Sequence, residues 1–288
     1  MEKRNNVTEF VLLGLTQSNQ GQKILFVLFL LIYIVTMVGN LLIVLTVVFS
    51  PTLDAPMYLL LGYLSFLDAV YATTVNPNTF IDLLYEKKTI SFQACMIQLF
   101  TEHFFGGSKA IVLTVMAYDR YMAICKPLHY TTITRQGICQ LLVVVAWIGG
   151  ILLANVQILF MDDMIFCGSN VIDHFRCDFF SLLKLAFSDT YMLGMWGHCT
   201  VSFLLLHVSY VFILCSLTNC STEGRRKALS TCPSHIIVIV FFFVLCINMY
   251  VHPLTVLPVE KMVAVFYTIV TPLLNPLIYT LRNAEVKQ

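Results

Sequence analysis

Seven apolar stretches decide what this chain can become. They cover residues 23–49, 56–85, 93–125, 136–160, 190–217, 226–251 and 261–281. An α-helix rises 1.5 Å per residue, so about twenty residues cross the ~30 Å hydrocarbon core of a bilayer. Each stretch is long enough. Mean hydropathy is +0.83, 58% of residues are hydrophobic and 11% are charged, against roughly 25% charged in soluble domains. That balance excludes an ordinary soluble enzyme. A membrane β-barrel needs short segments of alternating polarity, whereas residues 236–245 are apolar on every face. The expectation is an all-α membrane protein, a bundle of seven transmembrane helices.

Residues 1–22 are mixed and polar, and the first apolar run opens at Ile24, so no cleavable signal peptide is expected and the first span serves as signal anchor. Lysine and arginine divide evenly between the two faces, which silences the positive-inside rule. Net charge is +1 with no long basic tract, so no nucleic-acid partner is expected. Without repeats or flexible linkers, residues 1–288 read as one domain. It has a 22-residue N-terminal segment, a long loop at 161–189 and a short tail at 282–288. The loop is the outlier in length, and loops of that size are usually functional.

Short strings then narrow the class. Residues 116–130 read MAYDRYMAICKPLHY, an Asp119-Arg120-Tyr121 triplet at the end of the third span, closed by Pro127. Gly39-Asn40 lies in the first span, Pro56-Met57-Tyr58 and Leu64-Ser65-Phe66-Leu67-Asp68 in the second, and Ser209-Tyr210 in the fifth. Lys227-Ala228-Leu229-Ser230-Thr231-Cys232 with His235 opens the sixth, and Pro272-Leu273-Leu274-Asn275-Pro276-Leu277-Ile278-Tyr279 closes the seventh. Taken in this order, over nearly the whole chain, the strings resemble the olfactory receptors, a branch of the rhodopsin-like G-protein-coupled receptors. Glu102-His103-Phe104-Phe105-Gly106-Gly107 is similar to family 4 among them.

The resemblance implies function residue by residue. Arg120, beside Asp119 and Tyr121, is the group exposed on activation to meet a heterotrimeric G protein of the stimulatory olfactory type, raising cyclic AMP. Tyr210 and Tyr279 swing inward to hold the open state, and Pro276 next to Asn275 is a hinge, because proline removes a helix hydrogen bond that neighbouring polar groups must replace. Interfacial belt tyrosines are the alternative reading of Tyr210 and Tyr279. A small volatile odorant would sit among His103, Gly106, Gly107, Phe243, Cys246, Ile247, Tyr250 and Thr268. Gly106 and Gly107 also suit close helix packing, and spacing alone favours packing. Cys95 and Cys177 form the expected disulfide, pinning the long loop over the bundle mouth, while Cys125, Cys139, Cys215, Cys220, Cys232 and Cys246 read as free thiols. Asn6-Val7-Thr8 is a glycosylation sequon on the side expected to be extracellular, and Asn219-Cys220-Ser221 matches the same pattern on the cytoplasmic side. The implied place is the plasma membrane, N-terminus outside, without cofactor or metal. His103 and Glu102 point about 100° apart on a helix and form no catalytic dyad, so no enzyme is expected. A transporter would show repeated halves or a charged path, and neither is present.

Some residues depart from the family pattern. Lys109 stands where relatives often carry an acid, which with Asp68 can hold a sodium ion. The expectation is that the Lys109 ammonium pairs with Asp68 in place of that ion; a lysine snorkelling to polar loops is the alternative. The fifth span reads nearly two turns short between Thr190 and Tyr210. Phe187 replaces a cysteine, which leaves Cys167 without its usual partner unless Cys199 serves. Pro233 bends the start of the sixth span, and Gln288 ends the chain where relatives continue into a short helix. Together these leave open a receptor-like chain impaired in folding or signalling.

Overall fold

Ser18 sets where the first helix begins. Its backbone is extended (φ −78°, ψ 120°) and its hydroxyl accepts from the Gly21 amide at 3.4 Å, an N-cap that satisfies one of the orphan donors of the first turn. Helix α1 therefore spans Asn19–Phe49, four residues earlier than the apolar run foretells. Polar Asn19, Gln20 and Gln22 join it because capping chemistry, not hydropathy, starts a helix.

The computed structural model describes residues 7–50, 56–84, 88–125, 130, 135–162, 164, 166, 170–185, 238–242, 244–245 and 257–282. After α1 come α2 (Pro56–Leu84), α3 (Phe92–Cys125) and α4 (Gln136–Asp162). A short α5 (Phe179–Leu185) follows inside the long loop, then α6 (Leu257–Val265) and α7 (Thr271–Arg282). Residues 238–242 are helical as well. The fifth span, Asn6, Tyr210, Phe243, Cys246, Ile247, Tyr250, Cys167, Phe187, Cys199, Pro233 and Gln288 all lie outside the described residues.

Asn19–Phe49, Pro56–Leu84 and Gln136–Met161 are long and apolar enough to cross a membrane. On α1 and α4 the large side chains that face outward are themselves apolar, Leu31, Val38, Leu45, Leu141 and Leu152 among them. That is how a lipid-facing surface differs from a soluble one. α3 is longer still at 34 residues, but its charges turn inward: Glu102, Lys109 and Asp119 are all buried. A helix in that position is the centre of the bundle. The main core joins Leu60, Leu64 and Tyr71 of α2 to Val112, Leu113 and Met116 of α3, Val143 and Ala146 of α4, and Val238, Ile239 and Phe242.

Between α6 and α7 the helix widens into a π-turn at Phe266–Val270, a feature often found at functional sites. Further along, Pro276 sits inside α7. It has no amide hydrogen, so the Pro272 carbonyl four residues back loses its partner. Asn40 of α1 replaces it, its Nδ2 donating to Pro272 O at 3.0 Å and to Thr36 O at 2.9 Å. The neighbouring polar group that replaces the bond is thus Asn40, not Asn275 beside the proline. The approach is possible because residue 39 is glycine, where a Cβ would stand 2.9 Å from Pro276 Cβ.

One end of the bundle carries a small sheet that hydropathy does not foretell. Strand β1 (Glu9–Leu12) lies between β2 (Thr89–Ser91) and β3 (Val171–Ile172). It runs antiparallel to β2, with Phe10 opposite Ile90, and parallel to β3, with Leu12 opposite Ile172. Alternation explains the register: Phe10 and Leu12 point inward and are buried with Leu99, Phe166, Ile172, Phe179 and Leu182, while Glu9 faces out, as one strand face must. Gly14 then turns the chain at φ +75°, a left-handed value that suits glycine.

Candidate functional site

Three positions along α3, spaced i, i+3 and i+7, face the long loop and hold two consecutive residues of it. Cys95 is joined to Cys177 by a disulfide. Gln98 Oε1 accepts from the Cys177 amide at 3.3 Å, and Glu102 Oε1 lies 2.8 Å from Arg176 Nη2. Both charged residues are buried. A buried pair of this kind is costly to break, because the surviving charge is left uncompensated. Burial alone would lower the Arg176 pKa, but the Glu102 carboxylate outweighs it, and the guanidinium is held above its usual range.

Around this latch the loop closes on the bundle. His103 Nδ1 lies 2.8 Å from Leu99 O, and its ring meets the edge of Phe179 from α5 at 6.3 Å. Lys261 at the start of the last span donates to Asp173 Oδ1 at 2.7 Å and to Gly14 O at 3.0 Å, tying that span to loop and N-terminal segment together. His174 is buried and stacked on Phe175 at 4.6 Å. Burial pushes its imidazole down to about 4 although Asp178 pulls the other way, so it is neutral near pH 7.

One turn deeper, the two glycines part company. A Cβ on Gly106 would stand 2.8 Å from the Tyr267 hydroxyl, across a small cavity of about 10 Å³ lined by Leu67, Tyr71, Phe105, Gly106, Lys109 and Tyr267. A Cβ on Gly107 would instead meet Leu153 Cδ1 at 2.8 Å and the Gly150 backbone at 3.5 Å. Gly107 is therefore a packing position against α4, which corrects its placement with the ligand residues. Neighbours on a helix diverge by about 100°, and the expected common face is too wide for both. Thr268 is buried in the π-turn, with its hydroxyl donated to Ala264 O at 2.7 Å.

Below the cavity, the Lys109 ammonium donates to Asp68 Oδ1, and Asn275 Nδ2 donates to Asp68 Oδ2. The ammonium also faces the Phe242 ring, 5.6 Å from its centroid, a cation–π contact. A sodium ion does not fit this arrangement, because a second cation beside the carboxylate would meet the ammonium at close range in a poorly screened interior.

At the far end of α3, Asp119 is fixed from two sides. Arg120 donates to its Oδ2 from Nη2 at 2.6 Å and Nε at 3.1 Å, and the Tyr130 hydroxyl donates to Oδ1 at 3.1 Å. Burial first, and then the Asp119 carboxylate, push the Tyr130 phenol up to about 12, which keeps it a donor. The Arg120 side chain is 23% exposed against 2% for Asp119, so the cation stands at the rim and its partner inside. Tyr121 and Tyr279 lie on α3 and α7 at this end.

Sequence reading singles out His103, Lys109 and Arg120 on α3 but misses Arg176, Tyr71 and Tyr267. For Arg176 a signal existed. With Cys95 paired to Cys177, the loop residue next to that cysteine falls beside the same helix face, where Glu102 is an acid in need of a partner.

The bundle has the rhodopsin fold. It matches the crystal structure of squid rhodopsin with a TM-score of 0.66, over 94% of this chain and 84% of that one, at 16% identity. Residues 29–288 match the family described as olfactory receptor. Human olfactory receptor 4A47 is 56% identical over 99% of this chain and 94% of its own length, and human olfactory receptor 4A5 is 54% identical over 100% and 93%. The chain belongs to the olfactory receptor family, with relatives in its family 4. It is a multi-pass G-protein-coupled receptor of the plasma membrane, not an enzyme.

Proposed function

We propose that this receptor takes a small volatile odorant beside His103 and Gly106 of α3, beneath Phe179 of the loop, with Thr268, Phe243, Cys246, Ile247 and Tyr250 completing the wall. Its N-terminus and sheet end face outward, Asn6 carries the glycan, and occupancy is passed to a stimulatory olfactory G protein at Arg120, raising cyclic AMP. Tyr210, Tyr279 and the Asn275-Pro276 hinge hold the open state.

The observation that carries this reading is that one helix bears both ends of the path. His103 lies under a latched lid and Arg120 at the opposite rim, seventeen residues along α3, roughly 25 Å at helical rise. A lining that is mostly apolar with few polar points suits ligands held by burial and one or two hydrogen bonds. The test is a cyclic-AMP reporter assay in cells against a broad odorant panel, with surface staining in parallel. Wild type responds, and Arg120→Ala at equal surface level does not. A response that survives in Arg120→Ala overturns the coupling route, and staining of the N-terminus only after permeabilisation overturns the orientation.

Lys109 fills the role of a cation at Asp68. Agonist potency in wild type is therefore independent of sodium, measured by replacing it with N-methylglucamine. A sodium effect in wild type that Lys109→Ala abolishes refutes this assignment.

A further inference from the structure

We propose that the cavity bounded by Tyr71, Gly106, Lys109 and Tyr267 is a polar subsite that takes one neutral oxygen, the carbonyl or hydroxyl end of an odorant. This deepens the odorant-receptor reading above and rests on it. The cavity lies between α2, α3 and the π-turn, one turn below His103.

Three features define what fits. Its volume is about 10 Å³, close to the minimum for a single water-sized group, so the occupant is an end group and not a chain. Its polar lining is Lys109 and two tyrosines among Leu67, Phe105 and Gly106. An ammonium is a donor with three hydrogens and no acceptor. One of these goes to Asp68, and the Lys109 side chain lines the cavity as well. An occupant that accepts suits the ammonium, and the Tyr71 and Tyr267 hydroxyls can donate to it as well.

Charge narrows the class further. The Asp68 carboxylate balances Lys109, and its second oxygen accepts from Asn275. An amine in the cavity would face a like charge, and a carboxylate would leave a net negative charge in a poorly screened interior, where isolated charges are strongly disfavoured. A neutral acceptor avoids both penalties. Glycine at 106 lets the Tyr267 hydroxyl stand against α3, since any Cβ there would lie 2.8 Å from it. Fatty aldehydes, ketones and alcohols fit this description, and the matching hydrocarbons do not.

The experiment compares chain-matched sets in the reporter assay, for example alkanals, alkan-2-ones, alkan-1-ols, alkanes, alkylamines and alkanoates of equal length, with surface staining. The expected result is that oxygenated neutral members act at concentrations about tenfold to a hundredfold below the alkanes, the worth of one hydrogen bond to a charged donor, while amines and acids are weak. Gly106→Ala, whose methyl would press on the Tyr267 hydroxyl, removes that advantage, read as the ratio of oxygenate to alkane potency within the variant. Should Gly106→Ala fail to reach the surface, Tyr267→Phe takes its place, with an expected partial loss of the advantage. Equal potency of oxygenated and alkane partners in wild type overturns the subsite, as does an advantage that survives both substitutions. Silence to every compound in a well-expressed wild type sinks the odorant reading itself, which keeps the two failures apart.

Discussion

The two ends of α3 are fastened in opposite ways. At the Cys95 end a disulfide, a buried ion pair, a three-stranded sheet and the Lys261 contacts hold loop, N-terminal segment and helices together. At the Arg120 end, Asp119 is held by its own neighbour and by Tyr130, and the arginine is partly exposed. One covalent bond and a buried charge pair fix geometry; a few hydrogen bonds at a rim can be exchanged. Among the described residues the cap is thus the more firmly fastened of the two ends.

The largest effect should come from Glu102→Gln. It leaves the buried Arg176 guanidinium with only the more distant Asp178 carboxylate, 4.0 Å away, at a cost approaching the ~3–5 kcal/mol of a broken buried pair, and surface staining should fall severely. A variant that stains like wild type would show the cap to be less rigid than its geometry. Cys95→Ser is expected to cost about 2–4 kcal/mol, read as a lower melting temperature of detergent-solubilised receptor with unchanged basal signalling per receptor at the surface.

Acid should loosen the same end. His174 has its folded pKa near 4, below the ~6.5 of an unfolded histidine. The unfolded chain therefore binds the proton first, and this contribution to stability is whole above pH ~6.5 and is lost as pH falls towards 4. By pH 5 the loss is on the order of 2 kcal/mol. Melting temperature should drop between pH 7.5 and 5 in wild type and less so in His174→Gln; identical slopes would remove His174 from the account.

The smallest effect, and the one that sharpens the comparison most, is Tyr130→Phe. It deletes one hydrogen bond at the loose end, worth about 1 kcal/mol, so surface level should hold while basal cyclic AMP rises up to about fivefold. Unchanged basal signal at equal expression would mean that Tyr130 does not restrain that rim.

What could be read from sequence follows the strength of the local signal. Apolar runs announced α1, α2, α3 and α4, since nothing but a helix satisfies that much backbone in lipid. The disulfide was legible through the family resemblance, since position alone also offers Cys167 in the same loop as Cys177. The sheet was not: Glu9–Leu12 alternates over only four residues, too few to separate from a polar tail, and its partners lie far away in the chain. The glycine pair was legible as small residues facing something, but whether a neighbour is a ligand or a helix depends on which helices stand at 100° to each other. Only packing decides that, and it sent Gly106 to Tyr267 and Gly107 to Leu153.

The seating of β1 has a consequence for biosynthesis. Leu12 pairs with Ile172 and Phe10 with Ile90, so the earliest residues to leave the ribosome have no complete berth until the chain has been made past the fourth helix. The amino terminus must wait, unpaired, while four helices insert, and then thread between two segments synthesised long after it. Quality control that inspects this end would thus report on the assembly of the whole first half of the receptor, and a bulky tag joined directly before Glu9 would be felt as an assembly defect although it touches no helix.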